Sequence, residues 1–221
     1  MVEQTKDKIE CTFKLISIKE MNEDFLEKRE NLRKCLERTN FWISNCDQKA
    51  SIILAMVGIF IPMLTATDMV INIVKGIITP IINMTIEYSG LPTFSIICLF
   101  FIIVDIYYLF GVLYNLLTVL KGTTDPKTFK REGLAIQSYL HFQSITKVTF
   151  GNFKERCENR NEEEELNDYY SQIYINSIIC TRKYDNYNAG LMKLRRLLLW
   201  MLMTAILVIL RESFLISKLW L

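Results

Sequence analysis

Uncharged apolar stretches alternate with charged stretches along this chain. Residues 50–67 and 197–210 carry no charged side chain, and residues 93–120 carry only Asp105. An α-helix rises about 1.5 Å per residue and the hydrocarbon layer of a bilayer is about 30 Å thick, so residues 93–120 are long enough to cross it. The first stretch is long enough to cross the hydrocarbon layer if its helix continues to Val74. The third suffices if its helix continues to Ile216 and Arg211 reaches toward the lipid headgroups.

The pattern predicts an all-α membrane protein with about three transmembrane helices. The expected segments are a cytoplasmic N-terminal helical region at 1–49, a transmembrane hairpin at 50–120 with spans at about 50–74 and 93–120, a cytoplasmic cap and long helix at 121–196, and a third transmembrane helix at 197–217. Two alternatives stay open. Residues 68–92 could hold a further span broken at Pro80, and the third stretch could be a buried helix that does not span.

The distribution of basic residues predicts the orientation. Lys and Arg concentrate before the first stretch, after the second and before the third, whereas residues 68–92 contain only Lys75. Under the positive-inside rule, the N-terminus and residues 121–196 lie in the cytoplasm and residues 68–92 lie outside.

Composition argues against several classes of function. The formal net charge of +2 is evenly mixed, which does not suit a nucleic-acid surface. The chain has a single histidine, His141, and lacks a Gly-rich phosphate loop, a C-x-x-C pair and paired His/Cys spacing. We therefore expect a protein that is not an enzyme, with no catalytic residues, no metal, no cofactor and no nucleic-acid partner.

The charged N-terminal segment predicts a helix with one apolar face. Phe25, Leu32, Leu36 and Ile43 recur at helical spacing. Acidic residues directly after Asn22 suit the first turn of a helix, so residues 1–21 are expected to form a separate helix or arm.

A stronger helix signal follows Asn161, which precedes four consecutive glutamates as a capping residue precedes an acidic first turn. From Leu166 to Leu198, seam positions recur with alternating spacings of four and three, as in a coiled coil. This pattern predicts one continuous helix that enters the third apolar stretch. The seam could be satisfied within one chain or between the chains of a homo-oligomer.

Asp105 interrupts the longest apolar stretch, where a carboxylate costs about 2.5–3.5 kcal/mol on insertion scales. Tyr108 and Asn115 follow on the same helical face. This polar stripe either lines a pore or joins helices through hydrogen bonds, and the sequence leaves both interpretations open.

Three short motifs resemble one protein family. Residues 41–51 read FWISNCDQKAS, residues 172–184 read QIYINSIICTRKY, and residues 138–142 read SYLHF. The first, with Trp42, Asp47 and Lys49, resembles the aromatic, D-x-K-A-S pattern that opens the transmembrane Pycsar effector family of bacterial anti-phage defence. The second resembles the segment before that family's last membrane helix. The third occupies the place of an aromatic-rich stretch usually followed by glycine, where this chain has Gln143. The resemblance covers roughly residues 35–215.

The resemblance implies a function that the pattern alone does not. A companion cyclase makes a cyclic pyrimidine nucleotide, cUMP or cCMP, and the effector responds by impairing the bacterial inner membrane, which arrests growth or kills the cell. The implied partners are the lipid bilayer, the nucleotide and further copies of the chain. A phosphodiester needs cationic donors and a base needs stacking and edge hydrogen bonds. The residues expected to supply them are Asn176, Arg182, Lys183, Tyr184 and Tyr187.

Asp47 and Lys49 are expected to act as a latch. They lie two residues apart on a helix and point in different directions, so they should not pair with each other. Each is expected to meet a partner on the long C-terminal helix and hold the cytoplasmic mouth closed. The alternatives are a constitutive membrane scaffold or small channel subunit, and a SLATT-type membrane effector that answers a different signal.

Overall fold

The computed structural model describes the backbone of residues 2–65, 68–83, 91–122, 133–134 and 138–219, and the side chains of residues 23–63, 70–82, 93–122, 133–134 and 138–214. Within these ranges the chain forms the helices α1 (Val2–Thr65), α2 (Asp68–Asn83), α3 (Leu91–Leu120), α4 (Phe142–Ile145), α5 (Phe150–Glu158) and α6 (Glu162–Leu219). The expectation of an all-α chain is confirmed. Residues 123–132 of the expected cytoplasmic cap lie outside the described residues.

Three of these helices are long and apolar enough to cross a membrane, through Glu23–Met63 of α1, Thr93–Leu120 of α3 and Glu162–Phe214 of α6. Large apolar side chains on all three are exposed on the chain itself, including Ile59, Phe110 and Leu202. The apolar part of α2, Val70–Ile82, is shorter. At about 1.5 Å per residue this apolar part is shorter than the hydrocarbon layer is thick. The alternative of a further span within 68–92 includes residues 84–90, which lie outside the described residues, so it stays open.

One expected helix boundary is wrong. α1 is continuous through Asn22, so residues 2–21 are not a separate helix. Neither Pro nor Gly interrupts this segment, and its backbone hydrogen bonds therefore continue. The expected continuation of the first span to Val74 crosses residues 66 and 67, which lie outside the described residues, so it stays a prediction.

The contacts divide the chain into two compact units. The first, here called the polar unit, comprises Met1–Ser44 and Thr123–Thr181, and the second, here called the membrane unit, comprises Asn45–Gly122 and Arg182–Leu221.

In the polar unit, the four apolar residues expected to share a face of α1 are partly buried. The Nδ2 of Asn176 on α6 donates to Oδ1 of Asn40 on α1 at 2.8 Å. The predicted start of α6 is confirmed, since the Glu164 N–H donates to Oδ1 of Asn161 at 2.7 Å.

The core of the membrane unit is small and tightly packed. Five residues are fully buried there, and they are Cys46, Ala50, Val112, Leu116 and Val119. Partly buried side chains pack around them, including Tyr184, Tyr187 and Leu194. Gly190 on α6 lets that helix approach α3, because a Cβ at this position would lie 3.1 Å from Cδ2 of Leu116.

The predicted heptad seam of α6 is partly buried within one chain, where Tyr184, Tyr187 and Leu194 pack against the core. Tyr170 and Leu198 of the seam are 55% and 60% exposed. The buried positions of α6 are instead largely polar or small, and they are Asp168, Ser171, Gln172, Ile175, Lys183, Gly190, Leu197 and Arg211. Lys183 and Arg211 can face inward because neighbouring helices supply oxygen acceptors for their charged groups.

Candidate functional site

A buried lysine ties three helices of the membrane unit together. Lys183 on α6 is 7% exposed. Its Nζ donates to Oδ1 of Asp47 on α1 at 2.5 Å and to the carbonyl oxygen of Val119 on α3 at 2.5 Å. This arrangement gives Asp47 the partner on the C-terminal helix that the sequence predicted.

The position of Val119 explains why a cation fits there. α3 ends at Leu120, so the carbonyl of Val119 lies in the last turn, where carbonyls lack donors from their own helix. A positive charge at this end also interacts favourably with the helix dipole. Lys183 thus binds a side-chain carboxylate and a helix terminus at once.

The other two motif residues do not join this ion pair. Lys49 is exposed, and no partner for it occurs among the described side chains, so a contact between Lys49 and the C-terminal helix stays a prediction. Trp42 belongs to the polar unit and is 47% exposed, with its ring edge-on to Phe41 at 5.8 Å between centroids.

The polar stripe of α3 faces the interior of the membrane unit. Oδ2 of Asp105 accepts from the hydroxyl of Thr204 on α6 at 2.7 Å, a partner that sequence reasoning missed. Tyr108 is partly buried and Asn115 is 6% exposed. Oδ1 of Asp105 and Nδ2 of Asn115 are buried and have no hydrogen-bond partner among the described residues. The stripe therefore joins α3 to α6 at Thr204.

A second buried cation lies near the end of the described part of α6. Arg211 is 2% exposed. Its Nη2 donates to the carbonyl of Gly76 on α2, its Nε donates to Oγ of Ser95 on α3 at 3.3 Å, and its Nη1 binds Oε1 of Glu212 at 2.5 Å. α2 and α3 thus offer Arg211 oxygen acceptors inside the unit, and its expected reach toward the headgroups stays a prediction.

The residues expected to bind a nucleotide belong to both units, and their role as a ligand site stays a prediction. Asn176 belongs to the polar unit and bonds Asn40, whereas the other four belong to the membrane unit. Lys183 is occupied by Asp47 and Val119. Tyr184 and Tyr187 lie edge to face at 6.5 Å between ring centroids and pack on the apolar core. Arg182 is exposed.

The polar unit contains a cationic cluster that the sequence analysis did not single out. The guanidinium carbons of Arg156 and Arg160 lie 5.4 Å and 4.4 Å from the ring centroid of Tyr139. Asp168, 1% exposed, accepts from the Tyr139 N–H at 2.8 Å and lies 3.6 Å from Arg160. The signal in the sequence was the SYLHF segment, followed by two arginines four residues apart on either side of the end of α5.

Nearby charges also act on His141 in this segment. Burial lowers the pKa of His141 below its ordinary value of 6.5; the charge of Lys147 lowers this pKa further and that of Asp168 opposes the shift.

A cavity of about 500 Å³ in the polar unit has the opposite electrostatic character. Its lining includes the acidic residues Asp24, Glu162 and Glu163 and one cation, Lys28. The Lys28 ammonium lies 2.6 Å from Asp24, whose hydrogen bond and charge raise the pKa of Lys28. Because its charge is already balanced and carboxylates dominate the lining, this cavity does not suit an anionic ligand.

Comparisons with known proteins place the chain among membrane effectors. Residues 31–211 match the family model described as the Pycsar effector protein domain. A curated protein of Gulbenkiania mobilis, named Pycsar effector protein GmPycTM, is 34% identical over 174 residues, which are 74% of this chain and 84% of that protein. No solved structure matches.

Proposed function

The chain belongs to the transmembrane Pycsar effector family, and from this premise we propose that it converts a cyclic pyrimidine nucleotide, cUMP or cCMP, into damage to the bacterial inner membrane. Membership makes it a membrane effector of anti-phage defence that answers a cyclic nucleotide signal from a companion cyclase. The proposal adds the nucleotide, the inner membrane and the outcome, which is growth arrest or cell death without an enzymatic step.

The observation that carries the proposal is the contact of Lys183 with Asp47 and Val119. A buried ammonium is stable only while oxygen atoms surround it. One of its two partners, Asp47, has a side chain that is 36% exposed and so can exchange Lys183 for water. This contact is therefore an element with two states, closed and open, that a signal could bias.

Recognition of the nucleotide is assigned to the polar unit. Guanidinium groups bind phosphodiester oxygens in bidentate fashion, and aromatic rings stack on bases. Arg156 and Tyr139 combine both chemistries, whereas Arg160 beside the same ring is paired with Asp168 at 3.6 Å. The acidic cavity of the same unit does not.

The orientation follows from the positive-inside rule. The N-terminus and the residues between the second and third spans carry the excess of Lys and Arg and lie in the cytoplasm. A nucleotide made by a cytoplasmic cyclase therefore reaches the polar unit directly.

The test begins with calorimetric titration of the detergent-purified protein with cUMP, cCMP, cAMP and cGMP. Selective binding of one pyrimidine nucleotide is expected, and Arg156→Ala should weaken it about tenfold or more, the effect of one lost charge-assisted hydrogen bond. Lys154→Ala is the matched control, since Lys154 is an exposed cation on the same short helix. Equal binding of all four nucleotides, or of none, would refute the assigned ligand class.

The second stage measures the consequence of binding. Protein reconstituted into dye-filled liposomes should release the dye when the selected nucleotide is added and should retain it otherwise. Constant release without nucleotide would favour the constitutive channel instead. Cross-linking through Cys180, which is partly buried on α6, tests the proposed homo-oligomer.

A further inference from the structure

α2 contains a proline in its interior, and this proline removes one hydrogen bond from the helix. Pro80 has no N–H, so the bond that residue 80 would make to the carbonyl of Gly76 cannot form. α2 nevertheless continues to Asn83, and Pro80 is buried. The carbonyl of Gly76 therefore lacks the donor that its own helix would supply, and it needs one from elsewhere.

Arg211 supplies that donor from α6. Its Nη2 bonds the Gly76 carbonyl and its Nε bonds Oγ of Ser95 on α3, so one guanidinium group holds α2 and α3 together. The planar fork of arginine presents several donors in fixed directions, which a lysine ammonium on a flexible stem does not reproduce. Arg211 is 2% exposed, so the contact is shielded from competing water.

The side of α2 that does not contact Arg211 is apolar and exposed on the chain itself. Four apolar side chains on α2 are between 37% and 72% exposed on the chain itself, and they are Ile71, Val74, Ile78 and Ile82. The helix is too short to span a bilayer alone. An apolar-faced helix of this kind binds into the interfacial layer of a membrane when nothing else holds it.

We propose that Arg211 is the positioning residue that docks α2 on α3 and α6, by replacing the hydrogen bond that Pro80 deletes, and that its loss releases α2 and makes the membrane permeable without any nucleotide. The permeability outcome rests on the proposed membrane-damaging function. The docking role does not depend on the nucleotide.

The test is a double-mutant comparison in liposomes of phosphatidylethanolamine and phosphatidylglycerol that hold a trapped dye, with no nucleotide added. R211M is expected to raise dye release about tenfold, the equivalent of one lost hydrogen bond to a charged donor. R211K should be intermediate. P80A supplies the helix with its own N–H, so the double variant P80A/R211M should fall back to within about threefold of the wild type.

Arg195→Met is the matched control, because it removes an equal charge from an exposed position on the same helix, and its release should equal that of the wild type. The inference is overturned if P80A/R211M leaks as much as R211M, or if R211M stays as tight as the wild type. Insertion is checked by size-exclusion profile and melting temperature. If R211M fails to insert, recovery of insertion in the double variant supports the inference and failure of both variants overturns it.

The result of the P80A/R211M test can be distinguished from the result of the nucleotide titration. Rescue by P80A together with a wild type that ignores cUMP and cCMP would leave the docking role standing and remove the nucleotide signal. A wild type that responds to one of these nucleotides, without rescue by P80A, would support the nucleotide signal and remove the docking role of Arg211.

Discussion

Replacing Asp47 by Asn should open the closed state of the protein in the absence of infection. The substitution keeps the size of the side chain and removes its charge. Lys183 then keeps the Val119 carbonyl and a neutral amide oxygen but no anion. Because the Lys183 side chain is only 9% exposed, its ammonium becomes poorly compensated in the closed state and gains stability when the contact opens to water.

The size of the effect follows from the burial of the two partners. Breaking a fully buried ion pair by removing one partner costs about 3–5 kcal/mol, whereas an exposed pair contributes about 0–1 kcal/mol. Asp47 is 36% exposed at its side chain, which places this pair between the two cases, at about 2 kcal/mol. That value corresponds to a roughly thirtyfold rise in the open population.

Lys183→Met should have a smaller effect. It removes the buried charge itself, leaves Asp47 able to take up water, and costs about 1 kcal/mol for the unbonded Val119 carbonyl. The double variant should therefore resemble Lys183→Met and not the sum of the two single variants.

The assay is growth of bacteria after induced expression without cyclase or phage, followed by basal dye release from liposomes. Asp185→Asn and Lys34→Met are matched controls, because both residues are exposed and carry the same charges on the same two helices. The reasoning is refuted if Asp47→Asn grows like these controls, or if Lys183→Met is more toxic than Asp47→Asn.

Three further outcomes test the local structure. Asn161→Ala should destabilise the start of α6 by about 1 kcal/mol, measured as faster hydrogen exchange in its first turn, because the cap to Glu164 is lost. Gly190→Val should lower the melting temperature in detergent at a cost of about 1–3 kcal/mol through its clash with Leu116, whereas Gly58→Ala, with open space around it, should not. The lowered pKa of His141 means that the unfolded chain takes up a proton first as the pH falls below about 6.5, so stability decreases there until the folded group also protonates. His141→Gln should lose less stability than the wild type between about pH 7.5 and 5.5.

The sequence predicted those elements that depend on local chemistry. The cap at Asn161, the presence of three long apolar segments and the partly buried face of α1 all follow from residues near one another in the chain. The expected break at Asn22 was wrong for a related reason. An acidic first turn favours a helix start, but it does not prevent an existing helix from continuing.

The register of α6 could be read only in part from apolar periodicity. That method assumes that apolar side chains face a protein core, but lipid also accepts them, and Leu198 accordingly lies 60% exposed on the chain. Lys183 and Arg211 face inward because Val119 and Gly76 offer carbonyls whose own helices cannot bond them. These pairs are far apart in the sequence, and only the folded arrangement identifies them. The sequence did predict that Asp47 meets the C-terminal helix, but it assigned Lys183 to a ligand.

The proline of α2 has an evolutionary consequence. While position 80 is proline, any relative that loses the guanidinium at position 211 leaves the Gly76 carbonyl without the donor that Arg211 supplies here. A relative with another residue at position 80 is free of that constraint. Substitutions at the two positions should therefore be correlated among descendants of the same ancestor, although 131 residues separate them in the chain.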